Sequence, residues 1–443
     1  MAAAMSDCDV IVIGAGAAGL MAAAELLEVG RRVMLLEGRD RVGGRIWTRR
    51  EPGVSVPIEL GAEFVHGHAP ITQSLLERAG TAVIEAADTH FGLEHGELKP
   101  REGLFPAIRR ALERSDVLER QDVSFDELLE QHLASVLTPA QRHYARMMAE
   151  GFDAADTSRA SARAIAEEWT GDTIGSGPQA RPREGYESLL GALMARLAGD
   201  RLRLQLQSTV QSVRWSRGSV EVAGEFCGAH FSWRAARALI ALPLGVLQQA
   251  SPAAGAVRFT PALAAKRAAL EGLASGPVIK LQLLFASSFW ETLHEGRYRD
   301  AGFFHAPEAE FTTFWTPAPA RAPLLVAWAG GPRAARLAAG AGAEDIARKA
   351  LASLESLFGK EIGIASELRA FYYHDWQEDP FARGAYSYVT VGARDARAGL
   401  GQPLEDTLFF AGEATDEEGG TVAGALQSGV RAARELLAAE ARR

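Results

Sequence analysis

Short apolar runs alternate with helical stretches along the chain, and this alternation predicts an α/β fold. Residues 9–13 form a short apolar run suited to a strand that is buried on both faces. Residues 17–29 follow as a predicted helix that Gly30 ends, and residues 32–36 form a second predicted strand that Glu37 closes. The sequence therefore predicts a strand–helix–strand unit of the parallel βαβ kind in this segment.

Further along the chain, similar patterns predict additional helices and strands. Helices are expected at residues 125–133, 186–197 and about 343–358, and strands at 202–215, 219–223, 238–243 and 277–285. The first two of these strands alternate apolar and polar residues, so we expect them to form a small antiparallel sheet. The run at 238–243 predicts a buried strand instead.

A glycine-rich loop, residues 14–19, joins the first predicted strand to the helix and has the spacing GxGxxG. In this setting Gly14 permits a tight turn, Gly16 lets the backbone approach a pyrophosphate, and Gly19 lets the helix pack against the strand. The helix N-terminus favours the negative charge of the pyrophosphate. Glu37 is placed to accept hydrogen bonds from an adenosine ribose. These features together predict a dinucleotide site, and the alternative is a chance glycine turn in an unrelated α/β unit.

A second glycine turn follows at once. Arg39 and Arg45 flank Gly43 and Gly44, which gives fixed cations and exposed N–H groups for additional phosphate. A nicotinamide enzyme does not need this second turn.

These segments resemble the flavin-containing amine oxidases, a family that includes monoamine oxidases, polyamine oxidases and lysine-specific histone demethylases. The resemblance rests on residues 10–45, 278–280, 376–388, 409–415 and 420–425, which occur in the family's order. It implies an α/β fold, α+β overall, in which a Rossmann-like FAD-binding domain combines a parallel sheet with a β-meander. The second domain would be a discontinuous substrate-binding domain of mixed sheet and helices.

The resemblance also implies where the two domains divide. The FAD-binding domain is expected at 1–70, 184–269 and 371–443, and the substrate-binding domain at 71–183 and 270–370. A glycine- and proline-rich stretch, residues 171–182, closes the first insertion.

By resemblance, twenty positions are expected to contact FAD: Gly14, Ala15, Gly16, Ala18, Gly19, Glu37, Arg39, Gly43, Gly44, Arg45, Gly61, Ala62, Glu63, Phe64, Val210, Trp376, Gly412, Glu413, Thr421 and Val422. The backbone at Val210 would touch adenine, and Glu413 would contact the ribitol and pyrophosphate region. Thr421 and Val422 would place a helix N-terminus near flavin N1 and the C2 carbonyl, where reduced flavin carries negative charge. Because Ala385 stands where monoamine oxidases carry the cysteine bonded to flavin, we expect non-covalent FAD.

Four residues are expected to act on the substrate. Lys280 matches a lysine that holds a water against flavin N5 for oxygen reaction and imine hydrolysis, although a surface lysine with a packed stem is the alternative. Tyr386 matches one wall of the family's aromatic cage, whereas the other wall is here Thr421. His66 matches a histidine that lies near the substrate in polyamine oxidases, or it is a structural hydrogen-bonding residue.

Because Thr421 stands where the second aromatic wall is expected, an aryl monoamine is less favoured as the substrate. The site is closer to the polyamine-oxidase pattern. This sequence lacks the long antiparallel coiled-coil insertion of the histone demethylases, which argues against the demethylase alternative. The expected reaction is hydride transfer from a polyamine or similar alkyl amine to flavin N5, giving imine or aldehyde and H2O2. His68, Glu167 and Glu168 could attract the cationic amine.

Two other function classes stay open at this point. One is an L-amino-acid oxidase or amine dehydrogenase on the same fold. An amino-acid oxidase would need an arginine that binds the substrate carboxylate. The sequence does not show whether Arg183 or any other arginine points toward the substrate. The other is a low-activity FAD-bound scaffold that works through protein contacts.

Composition narrows the expected partners. The 443-residue chain carries a net charge of −9, which argues against nucleic acid or anionic membrane and suits a cationic substrate, or simply a solvated acidic surface. Cys8 and Cys227 are the only cysteines, so no disulfide framework or cysteine-rich metal site is expected. No apolar run approaches the roughly 20 residues that span a bilayer, and no signal-peptide pattern is present. We expect a cytoplasmic enzyme acting on a small amine and O2, with a homodimer as one allowed assembly.

Overall fold

A parallel sheet with the N-terminal strand at its centre forms one half of the molecule. The computed structural model describes residues 7–94, 96–101, 104–171 and 179–442. In order across the sheet, the strands are Leu408–Phe410, Arg237–Ile240, Val10–Ile13, Val33–Leu36 and Leu202–Gln205. Every neighbouring pair is parallel. The strand–helix–strand unit and the Rossmann-like sheet predicted from the sequence are confirmed.

Both faces of this sheet are covered, which explains its continuous apolar strands. Val10 and Val12 pack into a core with the helices Ala17–Glu28, Glu187–Arg196 and Val422–Ala441. Ile11 and Ile13 point the other way, into a core shared with an antiparallel layer. A strand without polar positions suits such a central location.

The antiparallel layer is the expected meander, with one correction. Its strands, in order, are Ala229–Ala235, Ser219–Phe226, Ser208–Ser216 and Arg258–Thr260. The first three are antiparallel, as expected, whereas Arg258–Thr260 pairs in parallel with Ser208–Ser216. The predicted strand 202–215 is two strands, because the chain turns at Gln207, whose φ is +53°. Ser208 N then donates to Glu37 O, and the preceding strand Leu202–Gln205 joins the parallel sheet instead.

A second, mixed sheet forms the other half of the molecule. Its strands, in order, are Leu368–Tyr373, Val278–Phe285, Leu324–Gly330, Thr313–Trp315, Phe303–His305, His90–Glu94 and Glu97–Pro100. Strands from both predicted insertions therefore pair in one sheet. Ile279 and Leu281 face a core with the helix Ala343–Phe358, whereas Lys280 between them points to the opposite face, as the period of two requires.

Shorter elements complete the described chain. Helices are Pro70–Arg78, Leu104–Glu113, Asp116–Arg120, Phe125–Glu127, Pro139–Gly151, Ala162–Thr170, Leu244–Leu247, Arg267–Glu271, Gly331–Ala338, Ile364–Glu367 and Ala396–Gly401. Short 3₁₀ turns are Ala264–Lys266, Phe289–Glu291, Leu293–Gly296, Lys360–Ile362 and Glu413–Thr415. Two-stranded pairs join Leu273–Gly276 to Tyr386–Val389, Thr48–Arg49 to Ile58–Glu59, and Val83–Glu85 to Ala180–Pro182.

Three sequence expectations concern these elements. The predicted helix 125–133 is a short α-helix that continues as the π-helix Leu128–His132. Most of the stretch 171–182, which the sequence places at the end of the first insertion, lies outside the described residues. Among the described helices, none is both long enough and apolar enough to cross a bilayer.

Candidate active site

A cavity of about 940 Å³ lies between the two sheets. Its wall begins at the glycine loop 14–19 and continues past Glu37 and Tyr386 to the second sheet, where Lys280 and Thr313 line it. Of the cofactor and substrate positions predicted from the sequence, only Ala15 and Gly19 lie outside this lining among the described residues. Of the three residues that could attract the amine, Glu167 and Glu168 line the cavity and His68 does not. The fold therefore brings the two sets of predicted site residues into one space.

The glycine loop has the shape that a pyrophosphate requires. Gly14 has a φ of +102°, and a Cβ there would lie 2.5 Å from Ala241 O. A Cβ on Gly19 would lie 1.9 Å from Gly14 O, so this glycine permits the helix to pack on the turn. At Gly16 the nearest atoms to an added Cβ are 4.0 Å away, which leaves the backbone open to the cavity. Gly16 is also the N-cap of the helix Ala17–Glu28 and provides no side chain, so the first-turn N–H groups face the site.

Glu37 and the second glycine turn support this loop. Glu37 Oε2 accepts a hydrogen bond of 2.8 Å from Ala15 N, and its Oε1 accepts one of 2.9 Å from Arg39 N. Arg39 Nη2 lies 2.7 Å from Asp379 Oδ2, a fixed ion pair at the cavity wall. The second turn lies against the first, since Gly43 forms a bridge with Gly16. Two glycine turns and a guanidinium thus surround the same space.

The C-terminal segment closes the cofactor side of the cavity around Glu413. This buried carboxylate accepts hydrogen bonds from Arg45 Nη1 at 3.0 Å, Ser387 Oγ at 2.6 Å and Gly420 N at 3.0 Å. Burial alone would raise the pKa of Glu413, but Arg45 and Arg397 hold it below its usual value. Glu413 is therefore an anion that ties three distant segments together.

Thr421 caps the helix Val422–Ala441 at the cavity wall. Its Oγ1 accepts a hydrogen bond of 2.9 Å from Gly424 N and donates one of 2.7 Å to Glu418 O. Val422, the first helical residue, also lines the cavity. The N-terminal end of this helix therefore faces the cavity, where its partial positive charge favours a developing anion.

Lys280 lies inside the molecule, so the surface-lysine alternative is excluded. Its side chain is 3 % exposed, and Nζ lies 2.7 Å from Glu63 Oε2 and donates to Gly61 O at 2.9 Å. Glu63 Oε1 accepts from Arg181 Nε at 2.7 Å and from Trp315 Nε1 at 2.9 Å. Burial would raise the pKa of Glu63, but Lys280 and Arg181 hold it below its usual value.

Tyr386 and His66 both contact Phe152. Tyr386 OH donates to Phe152 O at 2.6 Å, and the His66 ring packs edge-on against the Phe152 ring at 5.5 Å between centroids. Burial lowers the pKa of His66 to about 4, so its imidazole is uncharged at neutral pH. The Phe64 ring also packs against the His66 ring, with 6.0 Å between centroids.

An acidic pair lies beside Tyr386, and sequence reasoning found only half of it. Glu168, on the helix Ala162–Thr170, meets Asp153, which follows the helix Pro139–Gly151. Burial, and for Asp153 also the charge of Glu168, raises the pKa of both carboxyls. In the described chain, neither oxygen of Asp153 makes a hydrogen bond of normal geometry. The sequence around Asp153 does not predict this contact, because the contact forms only when two separate helical segments pack together.

Comparison with known proteins agrees with this architecture. A family model described as flavin containing amine oxidoreductase matches residues 17–437. Lysine-specific histone demethylase 2 of Homo sapiens is 28% identical over 97% of this chain and 53% of that protein. Probable polyamine oxidase 4 of Arabidopsis thaliana is 30% identical over 96% of this chain and 86% of that protein. The chain spans about half the length of the histone demethylases that it matches.

Solved structures share the fold. A wild-type putrescine oxidase bound to putrescine superposes with a TM-score of 0.79 at 22% identity, covering 97% of this chain and 99% of that one. Cyclohexylamine oxidase from Brevibacterium oxydans IH-35A gives a TM-score of 0.74 at 22% identity, covering 99% of this chain and 100% of that one.

Proposed function

The chain belongs to the flavin-containing amine oxidoreductases, whose cofactor is FAD, and from this premise we propose that it oxidises a C–N bond of a polyamine or similar alkyl amine. When bound, FAD supplies at N5 the acceptor for the hydride that leaves the carbon next to the amine nitrogen. The products would be an imine or aldehyde and H2O2. The protein's part is to bind, orient and desolvate the amine.

The described residues fit the cofactor that the family implies. Gly16 and the adjoining helix N-terminus would hold the pyrophosphate, because they offer unpaired N–H groups and an open backbone. Glu37 retains lone pairs for the ribose after accepting from Ala15 and Arg39. The helix that begins at Val422 would face the isoalloxazine.

The observation that carries the proposed substrate class is the Asp153–Glu168 pair. Two carboxyls buried side by side in a cavity are costly unless a cation or a proton neutralises them. A diamine or polyamine brings a second ammonium group at a distance from the carbon that reacts. The charge of Arg397 acts on Glu168, yet burial still leaves the pKa values of both carboxyls raised. The second ammonium of a diamine would neutralise the pair, whereas a simple monoamine has no second ammonium to do so.

The same pair argues against an amino-acid substrate. A substrate carboxylate would add a third negative charge near Asp153 and Glu168. It would also need an arginine free to bind it. Arg183 is exposed and lies outside the described cavity lining, and Arg181 is already paired with Glu63. Three further arginines of the lining also have partners: Arg163 donates to Leu118 O, Arg394 to Glu167, and Arg397 to Ser387 and Glu413 O.

Lys280 supports an oxidase over a dehydrogenase. Its ammonium, fixed by Glu63 and the Gly61 carbonyl, is held in place inside the cavity wall. A cation fixed in a water-poor site stabilises negative charge that develops there, as it does when O2 is reduced. We therefore assign Lys280 to orienting a water and to the reaction with O2.

A peroxide assay across a panel of amines tests the proposed function. Purified holoenzyme is mixed with putrescine, spermidine, benzylamine and L-amino acids, and H2O2 is measured. We expect peroxide with the di- and polyamines. Peroxide only with amino acids would favour the carboxylate-binding alternative. Flavin bleaching without peroxide would indicate a dehydrogenase, and no response to any compound would favour a scaffold.

A further inference from the structure

One face of the second sheet carries a continuous row of side chains along the cavity. Lys280 pairs with Trp328 on the next strand, Trp328 pairs with Thr313, and Thr313 pairs with His305. Directly paired residues share a face of a sheet, and all four line the cavity. Three strand spacings of roughly 4.8 Å separate Lys280 from His305, or about 14 Å. His305 is thus at the far end of the cavity from Lys280.

A chain of hydrogen bonds leads from His305 to solvent. His305 Nε2 lies 2.8 Å from His90 Nδ1, and His90 Nε2 lies 3.0 Å from Asp88 Oδ1. The two imidazole rings are parallel, with centroids 5.2 Å apart. The Asp88 side chain is 95% exposed, whereas His305 is buried. All three residues line the cavity, so it has a mouth at Asp88.

With Asp88 as an acceptor, this chain favours one arrangement of protons on the two rings. An ionised Asp88 can only accept, so His90 carries its hydrogen on Nε2 and leaves Nδ1 as an acceptor. His305 then donates from Nε2, which leaves a lone pair on its Nδ1. That nitrogen lies 3.4 Å from Thr313 Oγ1 at the cavity wall. The exposed carboxylate therefore makes the buried imidazole a base that faces the cavity.

We propose that Asp88, His90 and His305 form a proton relay at the entrance of the cavity, which takes a proton from the alkylammonium substrate at His305 Nδ1 before the amine reaches Lys280 and delivers that proton to solvent at Asp88. The inference rests on the proposed amine substrate. An N–H bond of the ammonium breaks as His305 Nδ1–H forms, His305 passes its Nε2 proton to His90 Nδ1, and His90 passes its own Nε2 proton to Asp88. A neutral amine remains and no electrons move. Each ring has exchanged its Nε2 proton for one on Nδ1, and exchange of protons with water, by loss from Nδ1 and gain at Nε2, restores the starting tautomers.

The relay would convert the charged substrate into the neutral amine that hydride transfer requires. Alkylammonium groups have pKa values near the value of about 10.4 for lysine, so the substrate arrives charged, yet hydride loss requires the neutral amine. Phe303, Trp315 and Trp328 line this part of the cavity and would desolvate the ammonium, which favours loss of its proton.

The charges around His305 favour passing the proton on. Burial, and then the nearby His90 and Arg101, hold the pKa of His305 well below its usual value. Arg101 lies over the Tyr144 ring, and the charge of Glu94 also acts on it. A base in this setting holds a proton only briefly, as a relay requires.

Anaerobic stopped flow with a pH-indicator dye tests the relay in weakly buffered holoenzyme. Putrescine is mixed with wild type, Asp88→Asn, His305→Gln and the control Glu97→Gln, which removes an exposed carboxylate from the same hairpin. In wild type and the control, proton release should precede flavin bleaching. At pH 7 both steps should slow about tenfold or more in Asp88→Asn and His305→Gln. Near pH 10, where much of the amine is already neutral, the difference should disappear.

Two results would overturn the relay. One is unchanged proton release in both variants, and the other is a bleaching defect of equal size at pH 7 and pH 10, as lost packing would give. If His305→Gln fails to fold, the exposed Asp88→Asn still decides the question. Failure of the proposed function looks different, because then no amine bleaches the wild-type flavin at either pH.

Discussion

Lys280 Nζ lies 2.7 Å from Glu63 Oε2, inside a wall where both side chains are almost fully buried. The sequence assigns Glu63 to the cofactor site, and the structure shows that it is also the counter-ion of the lysine. Its other oxygen is taken by Arg181 and Trp315. We therefore propose that Glu63 positions Lys280.

Glu63→Gln should both destabilise the protein and misplace Lys280. The substitution leaves two buried cations, Lys280 and Arg181, without their shared carboxylate. Breaking a buried ion pair in this way costs about 3 to 5 kcal/mol. Thermal unfolding of the holoenzyme measures the loss, and stopped flow measures flavin reoxidation by O2. Slower reoxidation at a temperature where the variant is fully folded supports positioning, whereas normal reoxidation would leave Glu63 a structural role only.

Asp153→Asn and Glu168→Gln should impair diamines selectively. Each change removes a carboxylate that we assign to the distal ammonium, and truncating a buried charge pair of this kind costs about 2 kcal/mol or more, roughly thirtyfold in KM. Benzylamine has no second ammonium and should change little. Glu130→Gln is the control, because Glu130 pairs with Arg142 and Arg146 and lies outside the described cavity lining. Equal losses for both amines would contradict the assignment.

The same pair sets an expected pH dependence. The pKa values of both carboxyls are raised, so they take up protons more readily than ordinary carboxyls as pH falls. Protons then compete with the ammonium, and KM for putrescine should fall as pH rises through the titration of the pair. This dependence should weaken in Asp153→Asn.

FAD should be released intact when the protein is denatured. Ala385 stands at the position where a cysteine would bond the flavin, and neither Cys8 nor Cys227 lines the cavity in the described chain. Acid precipitation should therefore leave a yellow supernatant. A yellow pellet would show covalent attachment.

The elements that the sequence predicts best are those that depend on residues close together along the chain. The first strand, the glycine loop and the helix after it lie where the local pattern places them, because turn chemistry and apolar period act over a few residues. Lys280 was recognisable because a lysine interrupts a strand that is otherwise apolar, Val278–Phe285.

What the sequence does not predict depends on contacts between distant segments. Asp153 meets Glu168 only because two helices come together, and His90 meets His305 only because strands from separate insertions pair. The strand Leu202–Gln205 was assigned to the wrong sheet for the same reason, since its partner Val33–Leu36 lies far away in the sequence.

Lys280→Met should slow reoxidation more than reduction. The change keeps the volume of the stem but removes the cation from the cavity wall, while Arg181 still neutralises Glu63. One preorganised polar group of this kind is worth about 3 to 4 kcal/mol, or roughly a hundred- to a thousandfold in rate. Stopped flow times the two half-reactions separately.

Lys266→Met is the control for losing a buried lysine. Lys266 is 1% exposed, donates to Gly399 O at 2.9 Å and lies outside the described cavity lining. It should affect stability without changing the ratio of the two half-reaction rates. Reoxidation of Lys280→Met within about twofold of wild type would leave Lys280 as a buried structural lysine, because a group worth several kcal/mol to the oxygen reaction cannot be removed at so small a cost.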